Sequence, residues 1–327
     1  MSCEFILTRG KNKGKQCSSK GTRIFFDTRY CSRHCKMKEK DMMLNETRTM
    51  QKEDWNCNEN SVPAFGFIRE IGKGAFGRVL MIQDTKTNEK YAMKTANNRA
   101  KHGANLLFYE YTLLSQHFAG NKDFPQLLPK VSASYKRGAH ETYLIFEYFE
   151  ETLSQRCNRC TLSSEKVKSY GLQILNIIEY IHSLNFLYID IKPENFMFKT
   201  KDDESVKIID FGLCQRYVDY KGQHIGSKTL SNPIGTDLYA SVRMLSCTQS
   251  GRIDDIECIG YLLLYLYHGE LPWSSASSSS EILEMKQACT MFENTPDYIW
   301  KFIQSSRAVK SFDATPDYNL FKALLTV

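Results

Sequence analysis

Tyr188-Ile189-Asp190-Ile191-Lys192-Pro193-Glu194-Asn195-Phe196 places an acid, a lysine two positions on and a carboxamide five positions on between apolar residues. Ile209-Asp210-Phe211-Gly212 follows it. These residue types at this spacing suit phosphoryl transfer. One carboxylate orients an attacking hydroxyl, and a second, with the carboxamide, holds the cations that neutralise phosphate charge. A D-x-K-x-x-N string also arises by chance. Its specificity comes from standing before Asp210-Phe211-Gly212 and after a glycine-rich stretch.

That stretch is Ile71-Gly72-Lys73-Gly74-Ala75-Phe76-Gly77-Arg78-Val79. Glycines let backbone N–H groups approach phosphates with no Cβ in the way. A dinucleotide-binding turn uses a similar string but runs directly into a helix. Here Val79-Leu80-Met81-Ile82 follows, so the spacing predicts a β-hairpin. Tyr91-Ala92-Met93-Lys94 reads as the next strand, and Asn105–Ser115 has helical period with Glu110 on it. Taken singly, Lys94 reads equally as a surface lysine and Glu110 as a solvated acid; with the glycine loop they read as a pair.

Together these motifs resemble a eukaryotic-type protein kinase. The resemblance implies an α+β fold of two lobes, a β-rich small lobe at 63–149 and an α-helical large lobe at 150–327, within a domain spanning 63–327. It implies ATP and Mg2+ as cofactors and protein hydroxyls as substrates. Lys94 would contact the nucleotide phosphates and be fixed by Glu110. Asp190 would accept a hydrogen bond from the acceptor hydroxyl, Lys192 would steady the transferring group, and Asn195 and Asp210 would bind magnesium. Ile71, Val79, Ala92 and Met197 would sandwich the adenine ring. Gly72, Gly74 and Gly77 would cover the phosphates, and the backbone of Glu147–Phe149 would meet the adenine edge. Phe146 would guard the back of that pocket; core packing is its plainer reading.

Tyr188 and Ile189 stand where the resemblance expects His-Arg. That arginine normally pairs with a phosphorylated loop, so no such phosphorylation is expected to be required, and Tyr188 is expected to replace only the packing of the histidine. Lys192, two residues after the acid, is similar to serine/threonine rather than tyrosine kinases. Gly235-Thr236-Asp237-Leu238-Tyr239-Ala240-Ser241 narrows the resemblance to the casein kinase I superfamily, which includes the vaccinia-related kinases. Arg252–Tyr261, Gly269–Trp273 and Thr315–Phe321 agree with it. Thr236 would then bond the catalytic loop, and Asp255 would anchor that loop from a buried helix. Leu238 replaces an arginine of the acid-directed members, which argues against a preference for acidic or prephosphorylated substrates.

Elsewhere the large lobe reads from pattern. Ser163 or Ser164 caps a helix starting near Glu165, with Val167, Tyr170, Ile174, Ile177, Ile178 and Ile181 on one face. The apolar run Ile259–Tyr267 is too short to span a bilayer and reads as a buried helix. Leu213–Leu230 reads as a mobile substrate-facing loop, and Ser274–Ser280 as a flexible one. Cys157-Asn-Arg-Cys160 has no companion pair and reads as incidental.

The chain has 327 residues, 42% hydrophobic and 24% charged, with a net charge of +6. Residues 1–40 carry eleven Lys/Arg against three acids, which leaves the remainder of the chain slightly acidic. Eleven cysteines fall into an N-terminal cluster and scattered singles, a pattern of a metal site and reduced thiols rather than a disulfide scaffold. Cys3, Cys17, Cys31 and His34, with Cys35 as alternative, form a candidate Zn2+ set at 1–40. Its Gly-Lys-x-x-Gly-x-x-Cys and Cys-x-x-His pattern is similar to small modules in proteins of large DNA viruses. A disordered basic tail with incidental cysteines is the other reading. Its Lys/Arg suit nucleic acid, an acidic partner or plain solvent. Residues 41–62 read as a linker. With no apolar h-region or spanning segment, an intracellular monomer away from membranes is expected.

Overall fold

The computed structural model describes residues 65–74, 77–96, 103–125, 143–219, 221–288 and 291–326, with two short strands, β1 (Arg23–Phe25) and β2 (Thr28–Tyr30). The chain divides into two units, Met1–Val62 and Pro63–Val327. In the first, β1 and β2 pair antiparallel, Ile24 opposite Arg29.

The stretch around the glycines forms the expected hairpin. β3 (Phe65–Gly74) and β4 (Gly77–Asp84) pair antiparallel, with Gly72 opposite Val79 and Gly74 opposite Gly77. β5 (Lys90–Ala96) and β6 (Tyr143–Glu147) complete an antiparallel sheet in the order β3-β4-β5-β6. The register sets Lys94 opposite Val79 on one side and Leu144 on the other, and Ala92 opposite Phe146. Helix α1 (Gly103–Thr112) continues into a π-helical turn at Leu113–His117 and packs on β5 and β6.

After β7 (Glu151–Thr152) the chain is mainly helical. α2 (Leu153–Arg159) opens with a capping box of Thr152 and Gln155, and α3 (Ser164–Ser183) with Ser163 as its cap. α3 buries the periodic face the sequence predicts, from Val167 to Ile181. Two short sheets follow: β9 (Phe196–Phe198) lies between β7 and β10 (Lys207–Ile208), and β8 (Phe186–Leu187) pairs with β11 (Gln215–Arg216). The remaining helices are α4 (Val242–Leu245), α5 (Arg252–His268), α6 (Ser279–Gln287), α7 (Asp297–Ala308) and α8 (Tyr318–Thr326).

α5 is the centre of this half, packed on α3 and α7 and buried continuously from Ile253 to Leu264. Burying each of its leucines and isoleucines contributes roughly 2 kcal/mol. An unpaired buried carboxylate would cost several kcal/mol, enough to cancel more than one of them. Asp254, Asp255 and Glu257 are nevertheless buried on the same helix. Each is bonded. Asp254 accepts from Ser241 Oγ and Gly251 N, both at 2.7 Å, and Glu257 from Val242 N at 3.0 Å and Tyr261 OH at 2.6 Å. Asp254 and Asp255 also lie in the first helical turn, where the dipole favours negative charge.

Two loops differ from their sequence reading. Ser274–Ser280 is structured because serine caps as readily as it loosens a chain. Ser274 Oγ accepts from Leu271 N, Ser278 caps α6, and Ser279 Oγ bonds Asp237. Leu213–Leu230 also bonds within itself and to its surroundings. Ile225 N donates to Tyr217 O at 2.8 Å, Asp219 Oδ1 accepts from the amides of Lys221 and Gln223, and Leu230 N donates to Cys247 O at 2.6 Å.

Gly251, which precedes α5, abuts the segment before α8. A Cβ built there would lie 1.8 Å from the Phe312 carbonyl oxygen. Backbone cannot swing away as a side chain can, so Gly251→Ala is expected to destabilise the fold by about 2 kcal/mol in urea unfolding. An unchanged midpoint would show that the 312 segment yields freely.

Candidate active site

The sheet, α1 and the segment after β10 converge on one cation. Lys94 Nζ lies 2.8 Å from Glu110 Oε2 and 3.0 Å from Asp210 Oδ1. Strand pairing aims Lys94 inward, and the helical spacing of Leu107 and Glu110 puts both on the cleft wall. Burial lowers the Lys94 pKa, but the two carboxylates outweigh it and hold the group above its usual value. For Asp210 burial raises the pKa and Lys94 more than reverses it, leaving the carboxyl below its usual range. Glu110, 3% exposed, carries the desolvation cost, and its pKa is raised despite Lys94.

The second cluster forms on the turn between β8 and β9. Asp190 Oδ1 accepts from Thr236 Oγ1 at 2.7 Å, and Oδ2 accepts from Lys192 Nζ at 2.6 Å and Asn195 Nδ2 at 3.0 Å. Asn195 Nδ2 also donates to the Asp190 carbonyl at 2.8 Å, and Lys192 Nζ to Thr236 Oγ1 at 3.3 Å. Thr236 is delivered by Gly235 at φ 88, where a Cβ would sit 2.8 Å from Met244 Cε. Three side chains thus fix one carboxylate.

A strained backbone underlies this turn. Ile189 has φ 73, a conformation costly for a β-branched residue by roughly 1–3 kcal/mol. Asp255 holds it there. Its Oδ2 accepts from Tyr188 N at 2.8 Å and its Oδ1 from Ile189 N at 2.9 Å. Hydrogen bonds to a charged acceptor contribute about 1.5–3 kcal/mol each, so two exceed the strain. His182 Nε2 lies 2.9 Å from the same carboxylate. A carboxylate only accepts, so Nε2 carries the shared proton, and Nδ1 lies 2.7 Å from Tyr318 OH.

The two clusters are linked at Ile209. Its amide donates to Asn195 O at 2.9 Å, and its carbonyl accepts from Tyr188 OH at 2.5 Å. Tyr188 therefore does more than pack. A phenol reaches further than an imidazole and ties the Asp190 turn to the residue before Asp210. Phe211 is fully buried against Phe118, Phe124 and Tyr188, and its amide donates to Glu110 at 3.4 Å.

Between these clusters and β6 runs a cleft of about 650 Å³. Ile71, Val79, Ala92, Phe146 and Met197 line it, with Gly72, Gly77, Glu147 and Phe149. Gly74 ends β3 opposite Gly77. The Glu147 carboxylate is turned to Lys199 at 2.6 Å. Glu194, Thr152, Ser154 and Gln155 also line the cleft, unremarked in the sequence because their types carry no distinctive signal. Cys3, Cys17, Cys31, His34 and Cys35 lie outside the described residues. Among the described residues no group of three or more His, Cys, Asp and Glu is arranged to hold a metal.

The protein-kinase-domain family model matches residues 65–318. The chain belongs to the protein kinase family. Kinases of this family use ATP and Mg2+ to modify proteins, and the donor set suits both. Asp210 and the Asn195 amide oxygen are the hard oxygen ligands magnesium takes, and the apolar walls suit a flat base. No helix among the described residues of this kinase is long and apolar enough to cross a membrane.

Lys94→Met would leave Glu110 and Asp210 without their cation. At neutral pH the loss should be about 3 kcal/mol of unfolding free energy. The depressed Asp210 pKa gives stability that is present above the usual carboxylate range and lost as pH falls through the folded value. Acidification should therefore shrink the difference between Lys94→Met and wild type, read by denaturation across pH; a difference constant with pH would contradict the pairing.

Proposed function

We propose that the chain is a serine/threonine protein kinase of the casein kinase I type, transferring the γ-phosphoryl group of Mg-ATP to protein hydroxyls. The observation that carries this reading is Asp190, held by Thr236, Lys192 and Asn195 on a turn that is bonded to Ile209, the residue before Asp210, and Asp210 lines the cleft with Lys94 and Glu110.

In this reading the adenine lies between Ile71, Val79 and Ala92 on one face and Met197 on the other, its edge on the backbone of Glu147–Phe149. Gly72, Gly74 and Gly77 cover the phosphates. Lys94, fixed by Glu110, contacts them, while Asn195 and Asp210 serve as metal ligands. Bound magnesium neutralises charge on the phosphates. Asp190 accepts the hydrogen bond of the acceptor hydroxyl and aligns it. Lys192, at bonding distance from both Asp190 and Thr236, places positive charge where the transferring group passes. Transfer forms the bond from acceptor oxygen to γ-phosphorus, breaks the bond to the β-phosphate oxygen to leave ADP, and sends the hydroxyl proton to Asp190.

Serine/threonine choice rests on Lys192 and on the Gly235–Ser241 stretch. Ile189 in place of arginine, with a loop bonded through Tyr217, Asp219 and Leu230, supports activity without loop phosphorylation. Leu238 in place of arginine supports substrates that need no acidic or prephosphorylated side chain. The domain is 63–327, after a linker at 41–62. Residues 1–40 form a basic zinc module on Cys3, Cys17, Cys31 and His34 (or Cys35) that contacts nucleic acid or an acidic partner, in a protein of viral type acting as an intracellular monomer. Zinc content of the full chain and its salt-dependent binding to DNA or RNA test that module.

Phosphate transfer to a generic protein tests the enzyme reading. Asp190→Asn should lower it by about 10²–10⁴-fold, with phosphate recovered on serine and threonine. Equal transfer by variant and wild type would reject the assignment and favour a non-catalytic scaffold.

A further inference from the structure

Lys286, on α6, is a buried cation with no part in the chemistry above. It is 1% exposed. Its Nζ donates to three backbone carbonyls, those of Asp237 at 3.1 Å, Leu238 at 3.0 Å and Ala240 at 2.7 Å. The rings of Tyr261 and Trp273 lie 4.4 and 4.8 Å from it. An ammonium has three donors, so this cage uses all of them.

The caged segment starts one residue after Thr236, whose hydroxyl donates to Asp190. Trp273 Nε1 donates to the same Leu238 carbonyl at 2.8 Å. The next two residues, Ser241 and Val242, are held by Asp254 and Glu257 of α5. Residues 237–242 are thus fixed from one side by α5, α6 and Trp273, while their leading end bears on the catalytic carboxylate. Removing the ammonium would leave three buried carbonyls short of a donor, so the cage stabilises the segment as well as directing it. What an ammonium adds is direction, because it fixes three carbonyls at once.

We propose that Lys286 is a positioning residue for phosphoryl transfer. By holding the carbonyls of 237, 238 and 240, its ammonium sets where Thr236 meets Asp190 and so where the acceptor hydroxyl sits. The proposal rests on the reading of Asp190 given above.

The titratable groups facing Lys286 are Glu257 and Cys258 on α5 and Asp237 on the caged segment. Arg307 on α7 donates to its backbone carbonyl at 2.8 Å. Asp237 is bonded to Ser279, and Glu257 to Val242 N and Tyr261 OH. Burial raises the Cys258 pKa, so the thiol stays neutral. Burial also lowers the Lys286 pKa, to about 7, against the opposing pull of Cys258, Glu257 and Asp237. As pH rises through that value the amine keeps two donors for three carbonyls, and the segment loosens. Turnover should then fall. Stability should move the other way. The folded pKa lies below the unfolded value of 10.5, so wild type gains stability relative to Lys286→Met as pH rises between the two.

The test is steady-state kinetics of the full chain with Mg-ATP and a serine peptide between about pH 6 and 9, with Asp190→Asn as the blank. Lys286→Met should lower kcat about tenfold at the acid end and leave KM for ATP within about twofold. Wild-type kcat should fall through about pH 7, and that limb should be missing from the variant. A variant kcat within about twofold of wild type at every pH, with the same profile, would overturn the inference. If Lys286→Met does not fold, Lys286→Gln is read in its place: a kcat within about twofold of wild type at the acid end overturns the inference, and a fall of about tenfold with KM for ATP kept supports it. Wild type no faster than Asp190→Asn would instead remove the enzyme reading, and this inference with it.

Discussion

The Asp255 carboxylate is the constraint on which the helical half depends. It sits in the first turn of the most buried helix, 1% exposed, and takes both amides of a turn that places an isoleucine in left-handed space. Released, Ile189 would relax toward ordinary φ, and Asp190, the next residue, would turn with it. The two bonds outweigh the strain by a margin of a few kcal/mol at most. His182 and Tyr318 extend the hold to α3 and α8, and Tyr217 OH donates to the His182 carbonyl at 2.8 Å. The turn is therefore tied to helices far from the cleft.

The same principle recurs around it. Asp254 and Glu257 take the chain at Ser241 and Val242, Lys286 takes it at 237–240, and Tyr188 and Asn195 grip Ile209 from both sides. Glu257, Lys286 and the Tyr188 hydroxyl are each satisfied by backbone of an irregular segment, and Asp254 by the Ser241 hydroxyl beside it. Irregular backbone has no ladder of its own, and buried charge must be bonded to be tolerated, so each requirement meets the other. The result is a set of loops held as firmly as strands, with carboxylates and cations converging on one cleft.

The kinase fold, and the polar residues that the structure gathers around Lys94 and Asp190, were largely legible in the sequence. The hairpin over the glycines followed from β-branched residues where a dinucleotide site needs a helix, and the face of α3 from its period. Asp190, Asn195, Asp210, Lys94 and Glu110 were legible because phosphoryl transfer restricts both residue type and spacing. What escaped was polar side chains whose partners are backbone. Lys286 on carbonyls, the Tyr188 hydroxyl on Ile209, and Arg156 on the carbonyls of Lys201 and Asp203 above the Phe198 ring all have partners with no sequence signature. Serine misled at 274–280 because one composition serves both flexible loops and helix caps. At 213–230 polarity was read as mobility, while Asp219 turns that polarity inward on its own loop.

The most direct measurement of the central claim is a crystal structure of the chain with magnesium and a non-hydrolysable ATP analogue. The account predicts the base between Ala92 and Met197, its edge on the backbone of 147–149, and the metal on Asn195 and Asp210 with Asp190 still bonded to Thr236. A cleft that stays without nucleotide at saturating analogue, or an Asp210 carboxylate turned out of it, would contradict the account.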